Sequence, residues 1–207
     1  PSSPGGASST PSGGGAGNRN AGLTRLAGGS NCQQDQYDRP TVGLLFICPD
    51  TIDVSTEKTR SLFFDTVVHE FAHILGFMWA DFAYYYDRTT GLPLTPDREK
   101  RTFNCVDGVQ RDVVVPSSDT VLEIQNDRGV RHFEIVTQTV RNVVRNHFAC
   151  PDMYGARLEN QPTIANDCFG SHWDEVLYSS ELLSSVSTTA QQYLSPLTLA
   201  LFEDTGW

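Results

Sequence analysis

Nowhere in these 207 residues do apolar side chains run for the roughly 18 positions that a bilayer-spanning helix needs. The longest apolar run, VGLLFIC at 42–48, suits a buried strand instead. Positive charge is scarce: 15 Lys and Arg stand against 25 Asp and Glu, for a formal net charge of −10. That balance disfavours phosphate-backbone binding, which needs clustered cations, so no nucleic-acid partner is expected. The densest basic stretch, RHFEIVTQTVRNVVR, spreads its arginines as a solvated helix face would. None of the five cysteines forms a C-x-x-C pair, which removes zinc-finger and thioredoxin-type readings. An initiator methionine, a signal segment and a hydrophobic tail are also missing. The expectation is a piece excised from a longer precursor, whose signal peptide and any membrane anchor lie elsewhere.

What is present is ordinary globular material, 39% hydrophobic and 10% aromatic. Residues 1–30 hold nine of the 17 glycines and almost no large apolar side chain, so they read as a flexible linker. The folded domain is then expected over 31–207. Residues 42–48, bounded by Pro40 and Pro49, form a strand. Next, VSTEKTRSLFFDTVVHEFAHILGF reads as a helix opened by Ser55 and Glu57. Its core-facing stripe is Phe64, Val67, Val68, Phe71, Ile74 and Leu75, and Gly76 ends it. Residues 79–115 read as a long excursion, and VVVPSSDT and VLEIQ as extended segments. A second helix is expected from Glu134 to Phe148, a loop from Cys150 to Ser171, and a closing helix capped by Ser195 with Pro196 at its first position. Cysteine spacing suggests staples between Cys32 and Cys48 and between Cys150 and Cys168, leaving Cys105 over. The alternative is five reduced, buried thiols.

The chemistry concentrates in HEFAH, residues 69–73. Residues four apart on a helix share a face, with Cβ atoms about 5–6 Å apart, so His69 and His73 can aim two imidazoles at one ion. Glu70 is one step round the helix. It is placed to act on a water at an open coordination position, as general base and then as proton donor to the departing amine. A bare H-E-x-x-H also occurs where the histidines merely pack. Here it ends a strongly apolar helix, where unpaired imidazoles and a carboxylate would be costly to bury. Catalytic zinc normally takes three protein ligands. Many zinc proteases place a third histidine three residues after the glycine, but that position is Trp79. A downstream glutamate is one solution; His132, His147 and His172 are others. His172 is favoured, because it follows Gly170 and Ser171 just beyond Cys168, where a bridge would hold it.

Taken together, HEFAHILGF (69–77), HFACPDMYGARLENQ (147–161), GSHWDE (170–175), SSELLS (179–184) and LSPLTLALFEDTGW (194–207) resemble leishmanolysin, a metalloendopeptidase family within the metzincins. CQQDQYDRPTVGLLFICPDTI (32–52) is similar to the family as well. The resemblance implies an α+β, metzincin-like fold. An N-terminal lobe at 31–77 would carry the active-site helix on a truncated sheet. A mostly helical, loop-rich C-terminal lobe at 78–207 would bring in the third ligand after a long insertion. It further implies one Zn2+ held by His69, His73 and His172, with Glu70 catalytic. It implies polypeptide substrates, disulfides, and an extracellular or cell-surface location, with some relatives linked to adhesion. One departure stands out: the methionine for which metzincins are named is replaced by Leu183. Swaps of similar volume cost under about 1.5 kcal/mol, so a less well-seated site is expected rather than a dead one. The same departure motivates a second reading, a catalytically impaired binding or adhesion module on this fold.

Overall fold

The computed structural model describes residues 26–160, 167–185 and 191–207. Two glycines set how its first layer assembles. Strand β1 (Ala27–Gln34) pairs antiparallel with β2 (Pro40–Ile47), and helix α1 (Glu57–Ile74) lies across the hairpin. A Cβ on Gly29 would sit 2.2 Å from the Glu70 carbonyl oxygen, and one on Gly43 2.1 Å from Ile74 Cγ2. Only glycine lets helix and strands approach this closely. The expected linker therefore ends sooner than its composition suggests, because Ala27–Ser30 form half of a ladder. Residues 1–25 lie outside the described part.

Helix α1 starts one residue later than expected. Thr56 and Thr59 cap it reciprocally, each side chain accepting from the other's backbone N–H. Its predicted apolar stripe is only partly covered. Ile74 is buried and Val68 packs on the core, but Phe64, Phe71 and Leu75 are 66%, 48% and 52% exposed. Sheet and C-terminal lobe cover two sides of the helix, and no described residue covers the third. At its end Gly76 takes φ +110°, and Phe77 donates back to the Ala72 carbonyl. The chain reverses there, and Phe77 drops into the core.

Beyond the turn, β3 (Lys100–Asn104) and β4 (Gln110–Val114) form a hairpin. A three-stranded antiparallel sheet follows, ordered β5 (Val121–Gln125), β6 (Arg131–Ile135) and β7 (Ala156–Arg157). Helix α2 (Gln138–Phe148) packs against α3 (Pro196–Asp204). Among the described residues the lobe expected to be mostly helical thus carries five strands beside two helices, and the architecture is α+β. The second helix does not begin at Glu134: Phe133 and Ile135 point inward from β6, opposite Glu123 and Val121. This long-range pairing overrides the local helical spacing. The N-terminus of α2 has no side-chain cap of its own, and Asp204 of α3 accepts from Thr139 and Val140 N–H instead. The closing helix starts as expected, with the Ser195 hydroxyl accepting from Leu197 N–H. Phe77, Phe82, Tyr85, Phe133, Phe169 and Trp173 fill the core between the sheet, α3 and the end of α1.

Both expected staples are overturned. The single disulfide joins Cys105 to Cys168, while Cys32, Cys48 and Cys150 are free thiols. Antiparallel register explains the first failure. Cys48 donates to the Leu26 carbonyl at one end of the hairpin, and Cys32 lies about six residue rises away, roughly 20 Å along β1. Cys150 follows the left-handed end of α2. Cys168 instead meets the segment after β3, where Val106 donates to its carbonyl and the cysteine Cα atoms come within 4.1 Å.

Candidate metal centre

The last turns of α1 present His69 and His73 on the side facing the C-terminal lobe, with their Nε2 atoms 3.1 Å apart. The 170–173 segment brings in His172, whose Nε2 lies 3.2 Å from each of the other two. Among the described residues these three form the one cluster able to hold a metal ion. Each ring is oriented through its other nitrogen. His69 Nδ1–H donates to the Leu182 carbonyl at 2.7 Å, His73 Nδ1–H to the Phe77 carbonyl at 2.8 Å, and His172 Nδ1–H to Glu159 Oε1 at 2.5 Å. With the protons on Nδ1, three Nε2 lone pairs converge on one point. Tetrahedral zinc at about 2.0–2.1 Å from each nitrogen spaces its ligands about 3.3 Å apart, so donor type and spacing both fit that ion.

Electrostatics agree with neutral donors on α1. Burial lowers the His69 pKa to about 4, helped by the charge of His172, and burial with the two neighbouring histidines holds that of His73 well below its ordinary value. For His172 burial also works against the imidazolium, but the Glu159 carboxylate outweighs it and the net shift is upward. Glu70 follows His69 directly, is half-buried, and its charge acts on His172. Its carboxylate is not part of the triangle.

The excursion after α1 ends where it began. Trp79, at the position a short-spaced third ligand would occupy, donates its backbone N–H to Ser171 Oγ at 3.2 Å. His172 therefore arrives beside the end of α1. The other two histidines are elsewhere: His132 on β6 pairs with Glu134, and His147 on α2 stacks edge-on against Phe148. Leu183 is fully buried in the turn below His69. Glu181 pins that turn, accepting from Leu183 N–H and from Ser195 and Thr198. Trp173 donates to the Leu183 carbonyl, coupling the turn to the residue after His172. Sequence reasoning missed Glu159. The available signal was an acidic residue in ARLEN, a segment otherwise read as loop.

Comparison with known proteins points the same way. A sequence model described as leishmanolysin matches residues 18–207. The chain is 32% identical over 192 residues to a leishmanolysin-like peptidase of Caenorhabditis elegans, covering 88% of this chain and 28% of that protein. It is 31% identical over 195 residues to the leishmanolysin-like peptidase of Drosophila melanogaster, covering 90% and 28%. A ciliated left-right organizer metallopeptidase of Mus musculus is 29% identical over 178 residues, covering 85% and 22%. The chain thus spans under a third of the length of these relatives. With a match over most of its length and three imidazoles converging beside the HEFAH helix, the chain belongs to the leishmanolysin family.

Proposed function

We propose that the chain carries the catalytic centre of a zinc-dependent metalloendopeptidase of metzincin type, acting on polypeptides. The convergence of His69, His73 and His172 Nε2 atoms, with Glu70 beside them, carries this reading. The three histidines would hold the ion. Zinc supplies Lewis acidity there, making water easier to deprotonate and polarising a peptide carbonyl. Glu70 accepts the proton of the attacking water and returns it to the amine as the C–N bond breaks. Nδ1 bonds to Leu182, Phe77 and Glu159 keep the rings from turning, so little reorganisation accompanies the reaction. An extended substrate would align along a free edge of the β1–β2 hairpin through main-chain hydrogen bonds, which favours broad sequence tolerance. An extracellular or cell-surface site is proposed too, supported by the buried Cys105–Cys168 bridge.

The purified chain is expected to bind one equivalent of zinc and to cleave a denatured protein. Glu70→Ala should retain the zinc and lose at least about 100-fold in turnover, the lower end of what a positioned general base contributes. Cleavage at the wild-type rate by that variant would remove Glu70 from its role. Leu183 at the turn supports the second reading, a binding or adhesion module; zinc at full stoichiometry without turnover in the wild type would select it.

A further inference from the structure

Two of the three imidazoles are steered by backbone carbonyls, those of Leu182 and Phe77, whereas His172 is steered by a side chain. Glu159 grips that loop at three points. Its backbone N–H donates to the His172 carbonyl at 3.0 Å, and its Oε1 accepts from Ser171 N–H at 3.1 Å and from His172 Nδ1–H at 2.5 Å. Gly170 makes the approach possible. It takes φ +94°, and a Cβ there would lie 2.6 Å from the Glu159 carbonyl oxygen and 3.2 Å from Glu159 Cγ. The carboxylate is 2% exposed. Among the described residues no Lys or Arg pairs with it, His172 is its one ion-pair partner, and Oε2 has no hydrogen-bond partner. A buried carboxylate whose one charged partner is an imidazole is costly, unless that imidazole itself leans on a cation.

Resting on the zinc reading above, we propose that Glu159 is a positioning residue of the metal centre. It fixes the tautomer and direction of His172, and its negative charge is balanced through the ring by the cation beyond. The expectation is specific to the third ligand. Glu159→Ala frees the ring and the Ser171 N–H, while the backbone bond to the His172 carbonyl remains. Glu159→Gln keeps an acceptor for Nδ1–H but removes the charge. Removing an outer carboxylate of this kind typically costs 10–100-fold in metal affinity.

The test titrates the intact chain with Zn2+ against a chromophoric chelator and with Co2+ followed by its visible spectrum. Asp204→Asn serves as the control, since it disturbs a buried carboxylate that caps α2 and touches no histidine. Glu159→Ala should weaken zinc by about 10–100-fold and alter the Co2+ bands, Glu159→Gln should fall between it and the wild type, and Asp204→Asn should lower only the melting temperature. Gly170→Ala, which pries the loop from Glu159, should weaken zinc as well and show less than additive loss when combined with Glu159→Ala. Should Glu159→Ala fail to fold, Glu159→Gln and Gly170→Ala carry the same comparison. Wild-type affinity and Co2+ spectrum in the Glu159 variants would overturn the proposal while leaving the zinc site standing. A wild type that binds neither metal would overturn both.

Discussion

Asp81 joins the turn after α1 to strand β1, and it does so as a buried carboxylate. Asn31 Nδ2 donates to both of its oxygens at 2.8 Å, and Gln34 adds a longer bond. Burial raises its pKa from 3.8 to about 6, with the Asn31 bond offsetting part of the shift. The folded state therefore holds this proton more tightly than the unfolded chain does. The resulting stabilisation is complete below the unfolded value, is lost as pH rises from about 4 to about 6, and changes no further above that. Asp81→Asn lacks this loss. In urea unfolding across that window, the stability difference should shift in the variant's favour by roughly 2–3 kcal/mol. Asp167 titrates in the same direction, but comparing wild type with variant cancels its share. A flat difference from pH 4 to 7 would show that Asp81 is not buried as described. At this scale the site was readable where spacing alone encodes geometry. His69 and His73 meet because helical residues four apart must share a face. Glu159 was not readable, because its neighbour His172 is brought to it by a loop whose path no local periodicity records.

The elements show the same division. Helix α1 and the closing helix follow from periodicity and capping chemistry, signals that reside within the element. The end of β6 at Glu134 and Ile135 was hidden, because these residues continue the helical spacing of the following VTQTV and become strand only through pairing with β5 and β7. The cysteine pairing was hidden as well, since register rather than separation along the chain decides which thiols meet. The first half of β1, Ala27–Ser30, reads as linker because its small residues carry no apolar pattern, yet smallness is what the packing demands. Gly29→Ala would push a methyl against the Glu70 backbone carbonyl, an atom that cannot swing aside. Forcing the hairpin off α1 should cost about 1–3 kcal/mol in chemical denaturation, and a greater loss in turnover than in zinc affinity, because Glu70 moves more than the two histidines. Stability equal to wild type would mean the hairpin and helix are further apart than described.

Across the molecule, the Cys105–Cys168 bond spans 63 positions and ties the loop before His172 to the end of β3. Loop-closure entropy for that span corresponds to roughly 4 kcal/mol in the unfolded chain. Replacing both cysteines with serine should lower stability by about 2–5 kcal/mol and speed zinc release to a chelator, while the same substitution at Cys150 should do neither. Equal release from all three proteins would detach the bridge from the metal centre. The contact between Trp79 and Ser171 has one more consequence. More than ninety residues leave the end of α1 and return within a single hydrogen bond of their departure, so the excursion is a side branch closed at its neck. Extra chain at its outer turns, such as the Asn126–Gly129 tip, changes the perimeter of the branch but not the position of its neck. Doubling a loop costs only about 0.6 kcal/mol. Length in that branch is thus free to drift while the three imidazoles keep their triangle.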